Sequence, residues 1–249
     1  METVQKKNSQ MDIIRKKLGA IRVLRLLKNQ YTYKEISRML NLPIPVISRY
    51  VKGHVLPKED RAEQILNIIK KEINLRSLLK SRIIFDNSGY FDNTKILSDI
   101  NLLRMITEDI LSEIGIKKVD KVLTAAVDGI SFATLFADEL GVNLIYAKKD
   151  KEVGVQQYFE ESFILQESGI RISYYLPKNA IKPGEKILVV DDIIRSGETQ
   201  RALVNLVLKA KAKVVQTIIL ISIGNAWKKN WDPGYSIYTY LSIECPERY

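Results

Sequence analysis

One cysteine, Cys245, and one histidine, His54, are all that the sequence holds of the two commonest transition-metal ligands. A single cysteine excludes an internal disulfide and fits a reducing compartment, so a cytoplasmic location is expected. A lone histidine with one distant cysteine does not make a zinc ligand set, and no dedicated metal site is expected. No apolar run reaches the ~18 residues of a membrane span, and no secretory leader pattern is present, so no membrane partner is expected. Against these absences stands an apolar share of 46% over 249 residues, ample for a core and long enough for one and a half to two domains.

Negative charge is scarce at the N-terminal end. Residues 1–60 carry 13 Lys and Arg against 5 Asp and Glu, so +8 of the chain's net +10 lies there. Such a local excess is an electrostatic footprint for a polyanion. Apolar residues recur at helical spacing over 11–28 (Ile13, Ile14, Leu18, Ile21, Leu24, and Leu26 or Leu27). After Asn29-Gln30, two short helices joined at Asn41 account for residues 33–53. Ile36, Leu40, Leu42 and Ile47 face inward, and Ser37 is small where the helices touch. Asn41 tolerates the positive φ that the turn needs. Pro43 and Pro45 suit the start of the second helix, and Gly53 suits its end. The register resembles the helix-turn-helix of the Cro and phage-repressor type, including Ser48-Arg49-Tyr50 near the end of the recognition helix. The resemblance implies double-stranded DNA as partner. Ile44, Pro45, Ser48 and Arg49 are then expected at the major groove, with Arg49 suited to a guanine, and Lys34, Arg38 and Lys52 at phosphates.

Pro57 breaks the chain, and an amphipathic helix is predicted over 62–79 with Ile65, Leu66, Ile69, Ile73 and Leu75 on its apolar stripe. Strand-and-turn material follows over 81–92, then a helix over 96–114. From Lys121 onward, strands alternate with helices: strands at 122–127, 142–147, 170–176, 187–190 and 214–223, helices at 130–140 and 198–210, and an edge strand near 237–243. This rhythm predicts an α/β fold with a doubly wound parallel sheet and a ligand at the strands' C-terminal ends. Residues 152–169 are predicted to be a long excursion, and the aromatic tail from Trp227 is assigned to packing.

The densest signal is Val189-Val-Asp-Asp-Ile-Ile-Arg-Ser-Gly-Glu-Thr199. A buried strand ends in two carboxylates, and a small-residue loop feeds a helix N-terminus. Backbone N–H groups and the positive end of the helix dipole suit a phosphate there. Gly197 permits close approach, and Ser196 and Thr199 add hydroxyls. Asp191 and Asp192 can accept from sugar hydroxyls or hold a hydrated Mg2+. A sugar phosphate fits this layout.

The same residues resemble the phosphoribosyl pyrophosphate (PRPP) motif of type I phosphoribosyltransferases, a likeness covering about residues 81–249. It implies the type I fold, a PRPP or nucleotide ligand accompanied by Mg2+, and contacts from Ile194, Arg195 and Glu198 besides the residues above. It also implies a pyrophosphate loop at Asp128-Gly129 and basic contacts from Lys148 and Lys149. Three positions depart from the transferase pattern. Arg195 stands where the enzymes carry a small residue, Asp128 where they often carry a base, and 152–169 holds no Lys or Arg. A carboxylate at 128 repels pyrophosphate unless Mg2+ or Lys148 compensates. Together these features resemble the purine-operon-repressor type and the archaeal helix-turn-helix regulators with an orotate-phosphoribosyltransferase-like domain.

The expected organisation is a helix-turn-helix domain over 1–58, a connecting helix over 59–80, and a phosphoribosyltransferase-like ligand-binding domain over 81–249. The expected function is ligand-responsive transcription regulation in nucleotide metabolism by a homodimer, with the pocket a sensor and not a catalyst. An active orotate or purine phosphoribosyltransferase carrying a DNA-binding domain is the alternative.

Overall fold

A computed structural model describes residues 10–72, 74–86, 90–116, 118–165 and 169–244. Ile73 of the expected apolar stripe, residues 166–168 of the expected excursion, and Cys245 lie outside the described residues. The chain packs as two compact units, 1–78 and 79–249.

The first unit is helical: α1 (Gln10–Lys28), α2 (Tyr33–Leu40), α3 (Ile44–Val51), α4 (Glu59–Glu72) and, straddling the boundary, α5 (Leu75–Lys80). Ile36 and Leu40 of α2, Leu42 of the turn and Ile47 of α3 are buried, as their spacing predicts. Asn41 takes the left-handed conformation at φ 50°. Ser37 does more than fit: its hydroxyl donates to the Leu42 carbonyl at 2.6 Å and clamps the turn. A capping box starts α2, with Thr32 Oγ1 accepting from the Glu35 N–H at 3.3 Å and Glu35 accepting from the Thr32 N–H at 2.7 Å. Those bonds to Thr32 also lower the Glu35 pKa.

Two expectations for this unit are corrected. The second half of α1 buries Ile21, Leu24, Leu26 and Leu27, but Met11, Ile14 and Leu18 are exposed. Nineteen residues of helix run about 28 Å, longer than the neighbours α2, α3 and α4 cover. The helix predicted over 62–79 is two helices. Asn74 caps α5 by accepting from the Ser77 N–H at 3.0 Å, and an Asn bonded to nearby backbone competes with helix continuation.

The second unit opens with a small hairpin, β1 (Ile84–Phe85) and β2 (Phe91–Asp92), followed by α6 (Thr94–Leu97) and α7 (Ile100–Ile114). The single helix expected at 96–114 is thus interrupted: Asp99 caps α7 by accepting from the Leu102 N–H and also pairs with Arg82. Then come β3 (Lys121–Ala125), α8 (Gly129–Leu140), β4 (Asn143–Ala147), β5 (Tyr158–Ile164), β6 (Arg171–Pro177), β7 (Lys186–Ile194), α9 (Glu198–Lys209), β8 (Lys213–Ile223), α10 (Trp227–Asn230) and β9 (Ile237–Ile243). Five strands form one parallel sheet in the order β4-β3-β7-β8-β9. Helix α8 packs on β3, β4 and β7, and α9 on β7 and β8. Strand β7 is buried almost throughout, as a central parallel strand must be.

The 170–176 strand does not join that sheet. It is β6, paired antiparallel with β5, which lies inside the expected excursion. The cause is period-2 alternation. Phe159 and Phe163 of β5 and Ile172, Tyr174 and Leu176 of β6 pack on a core shared with α9. Ser162 and Ser173, on the opposite face, bond each other at 2.9 Å.

Candidate functional site

In the parallel sheet, β3 continues through α8 to β4 on one side, and β7 through α9 to β8 on the other. The C-terminal ends of β3 and β7 therefore flank a topological switch point, where open α/β sheets hold ligands. A cleft of about 690 Å3 lies there, lined by residues 125–130, Tyr146, Lys148, Lys149, Asp150, Tyr174, Asp191, Asp192, Ile193, Thr199 and Gln200.

Asp191 and Asp192, near the C-terminal end of β7, are only 4% and 7% exposed. Successive strand residues point to opposite faces, so the two carboxylates find different partners. Gln200 of α9 donates to Asp191 Oδ2 at 2.7 Å and to the Ile193 carbonyl at 2.9 Å. Asn93, 99 positions upstream, donates to Asp192 Oδ2 at 2.8 Å. Burial, reinforced by Asp192, pushes the Asp191 carboxyl well above the ordinary range. Burial also raises Asp192, against the Asn93 hydrogen bond and with Asp128 adding repulsion. The pair is thus held ready for a counter-charge.

Gly129 begins α8 directly against Asp191. A Cβ at this position would press into Asp191 Oδ1 and Thr124 Oγ1, so only glycine lets the 127–130 turn lie this close to the acid. The Ala126–Val127 peptide just before it is cis. Asp128 is exposed into the cleft and makes no capping bond to α8. Across the cleft, Lys148 pairs with Glu152, and that hydrogen bond raises the ammonium's pKa. Lys149 is exposed beside it.

The segment expected to hold an anion, Arg195 to Thr199, is the loop after β7 and the start of α9. Arg195 and Ser196 are exposed, and Ser196 Oγ donates to Glu198 Oε2 at 3.1 Å. Gly197 caps α9 at φ 83° with buried Trp227 behind it; a Cβ there would lie 3.3 Å from Trp227 Cβ. Thr199 lines the cleft. The Ile194 side chain is fully buried with Ile219 and Trp227, and Ile193 lines the cleft. Asn93, Gln200 and Tyr174 were not foreseen. Gln200 had a weak signal, a polar residue in the first turn of a helix returning over an acidic strand end, but nothing in sequence links Asn93 to Asp192.

In the helical unit, Lys34 and Arg38 of α2, Ile44, Pro45 and Arg49 of α3, and Lys52 at its C-cap are exposed, and Ser48 is half-buried. Arg25 Nε donates to the Val51 carbonyl at 2.9 Å and fixes α1 to the end of α3. An 8-residue helix with its apolar side on Ile47 thus presents Arg49 outward.

Residues 93–244 match the phosphoribosyl transferase domain family. The chain belongs to that family. The matched region carries the whole cleft, and phosphoribosyltransferase-family relatives divide into enzymes and regulators. A xanthine phosphoribosyltransferase from Alkaliphilus metalliredigens is 32% identical over 127 residues, 51% of this chain and 63% of that protein. The purine biosynthesis transcriptional repressor of Bacillus subtilis is 23% identical over 226 residues, 90% of this chain and 76% of the repressor. A crystal structure of adenine phosphoribosyltransferase from Rhodothermus marinus superposes with a TM-score of 0.61 at 26% identity, covering 68% of this chain and 98% of that one. The fold is accordingly the type I phosphoribosyltransferase fold, preceded in the chain by a small helical unit.

Proposed function

We propose that this protein is a transcription regulator in nucleotide metabolism whose helical unit binds double-stranded DNA and whose cleft binds PRPP or a nucleotide. The observation that carries this reading is the reach of the repressor likeness. It spans 226 residues, more than the 171 of the second unit (79–249), and so enters the helical unit as well. The exposed basic face of α2 and α3 gives DNA a docking surface, and two half-sites one turn apart call for a homodimer. No helix among the described residues is long and apolar enough to cross a membrane, and the expected site of action is the cytoplasm.

The cleft fits the ligand in parts. The 196–199 loop and the α9 N-terminus suit a 5′-phosphate. Asp191 and Asp192 suit the ribose hydroxyls, and Gly129, Lys148 and Lys149 suit a diphosphate. An oxygen-only donor set with two buried carboxylates fits Mg2+, which keeps waters and takes further oxygens from a bound phosphate. When bound, the ion would neutralise charge between the diphosphate and the acids. Among the described residues no three carboxylate, His or Cys side chains gather to hold a metal alone, so ligand oxygens are needed to complete the shell.

Ligand can alter DNA affinity only by binding two arrangements of the protein unequally. Replacing Asp191 and Asp192 by Asn should abolish the effect of PRPP on DNA affinity while basal DNA binding persists. Loss of both together would refute the division of labour between units.

A second reading is favoured by the 32% identity to a transferase and the intact acid pair: the domain transfers ribose phosphate to a free base. Arg195, Asp128 and the absence of any Lys or Arg from 152–169 oppose it. Steady pyrophosphate release from PRPP and a free purine or orotate would establish it.

A further inference from the structure

Two neighbouring tyrosines of β6 face opposite ways. Tyr175 faces away from α9, with its hydroxyl donating to Glu160 at 3.4 Å and its ring 4.7 Å from the Lys151 ammonium. Its backbone clasps Lys148 twice, donating to the Lys148 carbonyl at 2.7 Å and accepting from the Lys148 N–H at 3.0 Å. Tyr174 faces α9, is 5% exposed and lines the same cleft as Thr199, whose hydroxyl acts to lower the phenol's pKa. Strand β6 therefore touches both arms of the cleft, Lys148 on one and the anion loop on the other. At the far end of α9, Lys209 pairs with Glu161 of β5 at 2.8 Å. The hairpin is moored along this helix at both ends.

We propose that Tyr174 is the positioning residue through which the β5–β6 hairpin senses a phosphate held by the 196–199 loop. The proposal rests on the reading of the cleft given above and adds the route by which occupancy leaves it. A threonine hydroxyl has one proton and two lone pairs. A phosphate only accepts, so it draws the Thr199 proton toward itself. The Thr199 oxygen is then free to accept from Tyr174. Burial, with Asp191, Asp192 and Asp128 nearby, raises the phenol pKa, so Tyr174 is neutral and has a proton to give. The outcome is a chain, Tyr174 to Thr199 to phosphate, in which each hydrogen bond polarises the next. No heavy atom needs to move. The hairpin is held more firmly when the phosphate is present, and it is the element that carries the news outward.

The test uses the full chain, calorimetric titration with PRPP and Mg2+, and hydrogen exchange of residues 158–164 and 171–177 with and without saturating PRPP. Wild type should bind and gain protection across the hairpin. Tyr174→Phe keeps the ring and should bind about 5- to 10-fold more weakly, the worth of one hydrogen bond, and at saturation should gain no hairpin protection. Thr199→Val removes the same bond together with the hydroxyl that meets the phosphate, so it should bind more weakly still and likewise gain no hairpin protection. Ser173→Ala removes the Ser162 contact within the hairpin but touches nothing in the cleft, so it should keep both affinity and ligand-dependent protection. Full protection in saturated Tyr174→Phe, or its loss in Ser173→Ala, overturns the proposal while leaving the cleft reading intact. Wild-type protein that binds no PRPP overturns both.

Discussion

Asp191 concentrates the chemistry of this molecule in one carboxyl. It is buried next in sequence to a second acid, and the Gln200 amide donates to it. A carboxyl whose pKa is raised on folding binds more protons folded than unfolded. Its contribution to stability is therefore lost as pH rises above the unfolded value of about 3.9. At neutral pH the pair opposes folding, and a cation or a ribose diol relieves it. Asp191→Asn should consequently raise the melting temperature of the ligand-free protein near pH 7 and flatten the fall in stability between pH 4 and 7. The same change should remove the PRPP response. A thermal scan series across pH checks this, and an unchanged or lower melting temperature at pH 7 would show that the acid is not strained. Ligand binding with Mg2+ should also release protons, visible as a calorimetric enthalpy that changes with the buffer's ionisation enthalpy.

At the scale of elements, helices α2 and α3 make three predictions. Thr32→Ala removes the capping box and should cost about 1 kcal/mol in the stability of the helical unit, measured by denaturant unfolding. Arg49→Ala should weaken specific DNA binding by about 1–3 kcal/mol and relax one base position. Lys34→Ala should weaken all sequences alike and lower the salt slope by about 1. Both are read from competition binding over a salt series. The turn between α2 and α3 was legible in sequence because local chemistry determines it: a left-handed Asn, a small Ser, prolines at the next start. The β7–loop–α9 unit was legible for the same reason, since burial on both faces and a Gly-dependent anion loop leave local marks. What escaped was set by tertiary partners. Strand β5 looked like part of a loop, and β6 like a strand of the main sheet, because the apolar face they share is completed by α9. Asn93 carries no mark of its own and Gln200 only a weak one, and the breaks at Asn74 and Asp99 depend on side-chain caps that a stripe of apolar residues does not reveal.

As a whole molecule, the chain couples a basic helical unit to a phosphoribosyltransferase-fold cleft whose departures from the enzyme pattern all reduce positive charge at the diphosphate end or alter the anion loop. Asp128 points a carboxylate into the cleft, and β5 carries Glu160 and Glu161 in a hairpin with no Lys or Arg before Arg171. These features suit a pocket that holds a phosphorylated ribose and reports it more than one that turns it over. The most direct measurement is the affinity of the full chain for genomic DNA fragments at one salt concentration, with and without PRPP and Mg2+. The account predicts a small set of fragments bound selectively, with affinities that shift at least severalfold when PRPP is added. Weak, unselective binding that PRPP leaves unchanged would contradict it.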